Sequence, residues 1–157
     1  MVYLDTSAIV KRYVLEPGSD EVGALVASGG VIATATVARA ECAAAFARAV
    51  RRRSMTADNA RACHKLFVRD WKHYVRIRET EVLIARADDL AWRHGLRGYD
   101  AIHLAAALEW QDRLGEAVTL CTFDRELWDA SWEAGLERRP ESLNGSRGRS
   151  TPCLPNA

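Results

Sequence analysis

The sequence predicts an α/β fold of three layers, α/β/α, with a central parallel sheet of four to five strands. Three observations lead there. Short β-rich runs alternate with longer stretches of helical period along the chain. The chain has 157 residues, enough for one domain with a substantial core and too few for two comfortable ones. Its composition, 48% hydrophobic and 27% charged, is that of an ordinary globular protein able to cover such a sheet.

The elements follow in order. "VYL" (2–4) reads as the first strand, with a helix over 6–13 behind it and another over 19–28. "VIAT" (31–34) is the second strand, followed by helices over 36–52 and 56–73; Thr56 with Asn59 three residues on is a start signal for the latter. "YVRI" (74–77) is the weakest strand, since Arg76 and Arg78 flank its single isoleucine. Helices over 79–94 and 99–114 end at Gly95 and Gly115, residues suited to a left-handed stop. "AVTLCT" (117–122) is a strand, 126–134 a short helix, and "LERR" after Gly135 an edge strand. The domain therefore spans 1–139. From Pro140 the text "PESLNGSRGRSTPCLPNA" is rich in Ser, Gly, Pro and Arg, and residues 140–157 are expected to form a disordered tail.

Charge and cysteine usage narrow the setting. Acids and bases nearly cancel, 21 against 22, so net charge gives no argument for a polyanionic partner, and only local placement of charge can supply one. Cys42, Cys63, Cys121 and Cys153 show no C-x-x-C pair and no zinc-ligand spacing; the first three lie among apolar residues, a usage that suits a reducing cytoplasm. No signal peptide or membrane span is expected.

The chemistry lies in four acids. In a parallel sheet the crossover helices run back against the strands, so helix N-termini gather beside strand C-termini, the edge where open α/β folds bind ligands. Asp5 ends the first strand and Asp124 follows the strand 117–122 by two residues. Glu41 lies in the early turns of the helix after "VIAT", and Asp100 opens the helix leading to the strand before Asp124. Asp5, Asp100 and Asp124 also have an ordinary use as helix caps or turn residues, and that alternative stays open for each. Together they point to a cation. Crowded carboxylates repel and take up protons unless a divalent ion neutralises them, and oxygen-only ligands suit Mg²⁺ or Mn²⁺ rather than zinc. An acidic pocket of this kind suits hydrolysis of a phosphodiester by water.

The stretches "LDTSAIVKRY", "ARAEC", "YDAIHLAAA" and "TFDREL" resemble, in the same order, those of the PIN-domain family, and within it the VapC-type toxins of bacterial toxin–antitoxin pairs. The resemblance covers roughly residues 1–139. It implies a metal-dependent endoribonuclease whose acidic quartet is Asp5, Glu41, Asp100 and Asp124, with Asp5 and Asp100 as the best-defined metal ligands and Thr6 and Thr122 as supporting hydroxyls. It also implies a homodimer and a small VapB-like antitoxin that covers the acidic groove.

Other residues invite a role. His103 follows Asp100 by three positions and reads as a ring packed beneath the acids rather than as a base; Asp129 reads as a solvated helix face, and Asp88 and Asp89 as surface charge. Arg48 and Arg52 fall within about 20° of Glu41 around their helix and suggest a basic track for RNA phosphates, which Lys11 and Arg12 extend. Trp128 and Trp132 share a face and read as core or subunit contact. Two rivals to a ribonuclease are a phosphomonoesterase using Asp5 as nucleophile, which needs an acid where Ser7 stands, and a non-catalytic binding or regulatory module in which the acids are caps.

Overall fold

Strand alternation sorts the core into two layers. In the computed structural model, which describes residues 1–143, strand β1 (Val2–Leu4) is buried along its whole length. Val2 and Leu4 pack into one hydrophobic cluster and Tyr3 into the other, as the two-residue period of a strand requires. Helices α1 (Thr6–Lys11), α2 (Ser19–Ala27), α3 (Ala38–Arg51) and α4 (Ala57–Asp70) cover the first face, with Ile9, Val22, Phe46 and Phe67 in its core. Helices α5 (Glu81–His94), α6 (Gly98–Leu114) and α7 (Arg125–Glu133) cover the second, through Leu83, Leu104 and Leu127.

The sheet has five strands, at the upper end of the expected range. Strands β2 (Ile32–Ala35), β3 (Val75–Ile77), β4 (Thr119–Cys121) and β5 (Glu137–Arg139) join β1 in the order β3-β2-β1-β4-β5, every pairing parallel. The arginines around Ile77 are explained by position: β3 is an edge strand whose Val75 and Arg76 are exposed while Ile77 is buried. The stretch "LERR" supplies the opposite edge, pairing Cys121 with Arg139. The chain moves from β1 to one side and later crosses to the other at β4, so β1 and β4 flank the point where strand order reverses. Ligand sites of open α/β sheets lie at the carboxyl ends of such a pair.

Local chemistry fixes the helix ends. Thr56 caps α4 by accepting from the Asn59 N–H at 3.2 Å, and Thr80 caps α5 by accepting from the Leu83 N–H at 3.2 Å. Gly95 and Gly115 close α5 and α6 at φ 67° and 66°, left-handed values that cost glycine little. Several boundaries shift by one to three residues from expectation, and two of the shifts have a visible cause. Helix α3 begins at Ala38, because Thr36 donates to the Glu79 carboxylate and the Val37 N–H donates to the same group at 2.8 Å. Helix α4 stops at Asp70 and tightens into a 3₁₀ turn over Trp71–His73, which drops the chain into β3.

Beyond β5, Pro140 is buried and its carbonyl accepts from the Trp128 indole at 2.8 Å. Residues 144–157 of the expected tail, with Cys153, lie outside the described residues. Cys42, Cys63 and Cys121 are buried thiols, and burial holds those of Cys42 and Cys121 well above their usual range, so neither offers a ready thiolate.

Candidate active site

Asp5 occupies the first position beyond β1 and is 4% exposed. Its Oδ1 accepts from the Ala8 N–H at 2.9 Å, capping α1, and from the Ser7 hydroxyl at 2.7 Å. Its Oδ2 accepts from the Thr122 hydroxyl at 2.9 Å. Two carboxylate oxygens offer roughly four acceptor directions, so three donors leave capacity for one more partner. Capping and a role in a site are therefore compatible at Asp5. Burial raises its pKa, a push that the charge of His103 and these donors only partly oppose.

The Thr122 hydroxyl also accepts from the Asp124 N–H at 3.1 Å, and the Ser7 hydroxyl accepts from the Phe123 N–H at 2.8 Å. The two loops at the carboxyl ends of β1 and β4 are thus stitched together by hydroxyls. Ser7, read from sequence only as the absence of a second acid, is one of the stitches.

Glu41 reaches the same place from the first turn of α3. Its Oε2 accepts from the Thr6 hydroxyl at 2.7 Å and from His103 Nε2 at 2.8 Å. His103 is 2% exposed, and its Nδ1 lies 3.0 Å from the Tyr3 hydroxyl, so a Tyr3–His103–Glu41 chain runs out of the core to the site. Burial alone would raise the Glu41 pKa, but the hydrogen bond and charge of His103, the Thr6 hydroxyl and nearby Arg48 bring it below the usual range. Burial alone would likewise depress the imidazole; hydrogen bonding to Glu41 and the charges of Asp5, Glu41 and Asp100 raise it instead.

The remaining acids form a more open group. Asp100 lies in the first turn of α6, and Asp124 caps α7 by accepting from the Leu127 N–H at 3.1 Å through Oδ1. Carboxylate oxygens of Asp100, Asp124 and Glu126 all lie within 4.8 Å of one another. Asp5 and Glu41 are not part of this trio, although the charge of Asp5 reaches Asp100 and adds, after burial and Asp124, to the rise in its pKa. Glu126 escaped the sequence reading because it looks like the opening of a helix; its one signal is that it stands two residues past Asp124. Burial, and then the charge of Asp124, raise the Asp100 pKa. Arg97 offsets that repulsion, donating from Nε to Asp100 Oδ2 at 2.8 Å and from Nη2 to Asp124 Oδ2 at 2.5 Å. Nothing in "HGLRGYD" marked Arg97 for this position. The donor set is oxygen throughout, suits Mg²⁺ or Mn²⁺, and carries more negative charge than one guanidinium balances.

The basic residues divide. Arg48 and Arg52 are exposed and line a groove floored by Val10, Phe46 and Met55, on the side of α3 that bears Glu41. Lys11 and Arg12 do not extend that track: Lys11 pairs with Glu16 at 2.7 Å, and Arg12 donates to the Tyr74 hydroxyl at 2.5 Å. Asp129 lies 3.8 Å from Arg138 on the surface, away from the acids' hydrogen-bond network. Trp128 is buried with the Arg138 guanidinium 3.2 Å above its ring, whereas Trp132 is 63% exposed.

Comparison with known proteins agrees with the fold. The PIN domain family model matches residues 2–132. Ribonuclease VapC45 of Mycobacterium tuberculosis is 31% identical over 144 residues, covering 92% of this chain and 98% of its own. In fold, the chain resembles FitAcB from Neisseria gonorrhoeae (TM-score 0.60, 17% identity, 88% of this chain and 96% of that one). It also resembles VapBC2 from Rickettsia felis, solved with a DNA fragment from its promoter (TM-score 0.59, 16% identity, 88% and 98%). With the match running from the first strand through α7, the chain belongs to the PIN domain family.

Proposed function

We propose that the protein is a Mg²⁺- or Mn²⁺-dependent endoribonuclease and the toxin of a VapBC-type pair. The observation that carries this reading is the convergence of Asp100, Asp124 and Glu126 beside buried Asp5, at the carboxyl ends of β1 and β4. Kinship with proteins named ribonuclease VapC supports RNA as the substrate. Asp5, Asp100 and Asp124 would hold the ion, with Glu126 at its margin and Glu41 completing the acidic pocket. A bound Mg²⁺ or Mn²⁺ would supply Lewis acidity toward the phosphodiester and lower the pKa of water.

The chain's own groups do the rest. Thr122 and Ser7 fix the Asp5 carboxylate, so its unspent acceptor direction has one orientation. Thr6 and His103 hold Glu41 ionised, ready to accept a hydrogen bond from water. Arg48 and Arg52 bind backbone phosphates and orient the strand without reading its bases. Water attacks phosphorus and the 3′ oxygen leaves with a proton, giving 5′-phosphate and 3′-hydroxyl ends. A VapB-like antitoxin covers the groove, the enzyme is a cytoplasmic homodimer, and no helix among the described residues is long and apolar enough to cross a membrane.

The test is direct. Purified protein with Mg²⁺ should cut RNA and leave 5′-phosphate ends on sequencing, and Asp100→Asn should not. Cleavage that persists in excess EDTA, or is equal in the variant, would overturn the reading.

A further inference from the structure

A positive charge already stands among the acids. Arg97, the residue before α6, is tied to the fold through its backbone, while its side chain is 68% exposed. The guanidinium forks between two carboxylates from different elements, one on α6 and one at the start of α7. Both contacts fall on carboxylates of the acidic trio. Asp124 already spends one acceptor direction of Oδ1 on the cap of α7 and one of Oδ2 on Arg97. A divalent cation ligated by Asp124 would stand beside the guanidinium on the same carboxylate, and their like charges oppose sharing it.

We infer that Arg97 is the site's resident counter-cation, holding Asp100 and Asp124 together in the metal-free protein and yielding to the divalent ion on loading. The inference rests on the metal-dependent reading above. Exposure sets its size. Ion pairs open to water are individually weak, so Arg97 tunes metal affinity rather than blocking the site. A long side chain held only by these contacts is also free to swing away once they are taken over. The consequence is a site that stays folded without metal yet fills only when the ion is abundant.

The experiment is Mn²⁺ titration of metal-free full-length protein, followed by calorimetry and thermal melting at low salt. Wild type is compared with Arg97→Gln, Arg97→Lys and Asp100→Asn. Arg97→Gln should melt lower without metal and bind Mn²⁺ about three- to tenfold more tightly than wild type, with the two melting temperatures converging at saturation. Arg97→Lys, which keeps charge but loses the fork, should fall between them. The difference should shrink at high salt. Equal or weaker Mn²⁺ binding by Arg97→Gln, with binding in wild type and loss in Asp100→Asn, overturns the counter-cation while leaving the nuclease reading in place. Absence of Mn²⁺ binding in wild type and Arg97→Gln alike overturns both.

Discussion

The candidate site has two halves built on different physics. In the inner half, Asp5 and Glu41 are held by hydroxyls, a backbone amide and a buried histidine, all supplied from inside the fold. In the outer half, Asp100, Asp124 and Glu126 face one another with an exposed arginine as counter-charge. Burying a carboxylate costs several kcal/mol unless hydrogen bonds replace its water, so the inner acids must be satisfied before any ligand arrives. The outer acids keep part of their hydration and tolerate a replaceable partner. The inner half thus provides geometry, and the outer half provides an exchangeable charge.

Substitutions can break this contrast in graded steps. Asp5→Asn should have the largest effect, lowering RNA cleavage by roughly a hundredfold or more while leaving the melting temperature nearly unchanged, since an amide oxygen still caps α1. Single-turnover cleavage and a thermal melt on the same preparation check both parts. A large fall in melting temperature would mean that Asp5 serves folding more than chemistry.

His103→Ala comes next, and it strikes stability. It empties a buried volume and leaves Tyr3 and Glu41 without their shared partner, which should cost about 2–4 kcal/mol in urea unfolding. Its pH dependence follows from the two shifts. The His103 pKa is raised above its ordinary value of 6.5, so its stabilising share is complete below that value and is lost as pH rises through the folded pKa. Glu41 is lowered from 4.5, so its share is complete above that value and is lost as pH falls through the folded pKa. The gap between wild type and His103→Gln should therefore be widest between pH 4.5 and 6.5 and narrow on either side. A gap that is flat from acid to alkaline pH would deny the ion pair.

Thr122→Val keeps volume and removes one hydroxyl that serves both Asp5 and Asp124. A loss of about 1–2 kcal/mol is expected, along with a further rise in the Asp5 pKa measurable by carboxyl NMR titration. Glu126→Gln should do least. Its side chain lies at the open margin, so unfolding free energy should change by under about 0.5 kcal/mol and Mn²⁺ binding should weaken only a few-fold. An effect as large as that of Asp100→Asn would promote Glu126 to a principal ligand.

Legibility differed between the halves. Asp5 stood out because an acid between "VYL" and "AIV" has no solvated face to occupy, and the alternation of strands and helices placed Glu41, Asp100 and Asp124 at the same edge. The partners were harder. Tyr3 and His103 are 100 residues apart and meet only because α6 packs on the sheet face into which Tyr3 points. Arg97 sits in a loop with no periodicity to interpret, and Glu126 reads as an ordinary first-turn acid. Lys11 and Arg12 show the converse: they read as an extension of the Arg48 and Arg52 track, but long side chains take whichever acceptor the fold brings near, here Glu16 and Tyr74.

Sequence by itself determined the three-layer parallel fold and the edge at which the acids gather. Hydrophobic period fixes each element, and element order fixes which ends point the same way. Only the tertiary structure decided which acids converge, which are satisfied from within, and which share an arginine. Those outcomes depend on distances between side chains far apart in the chain, and a carboxylate's partner is set by what lies within about 3 Å of it, a quantity that no periodicity encodes.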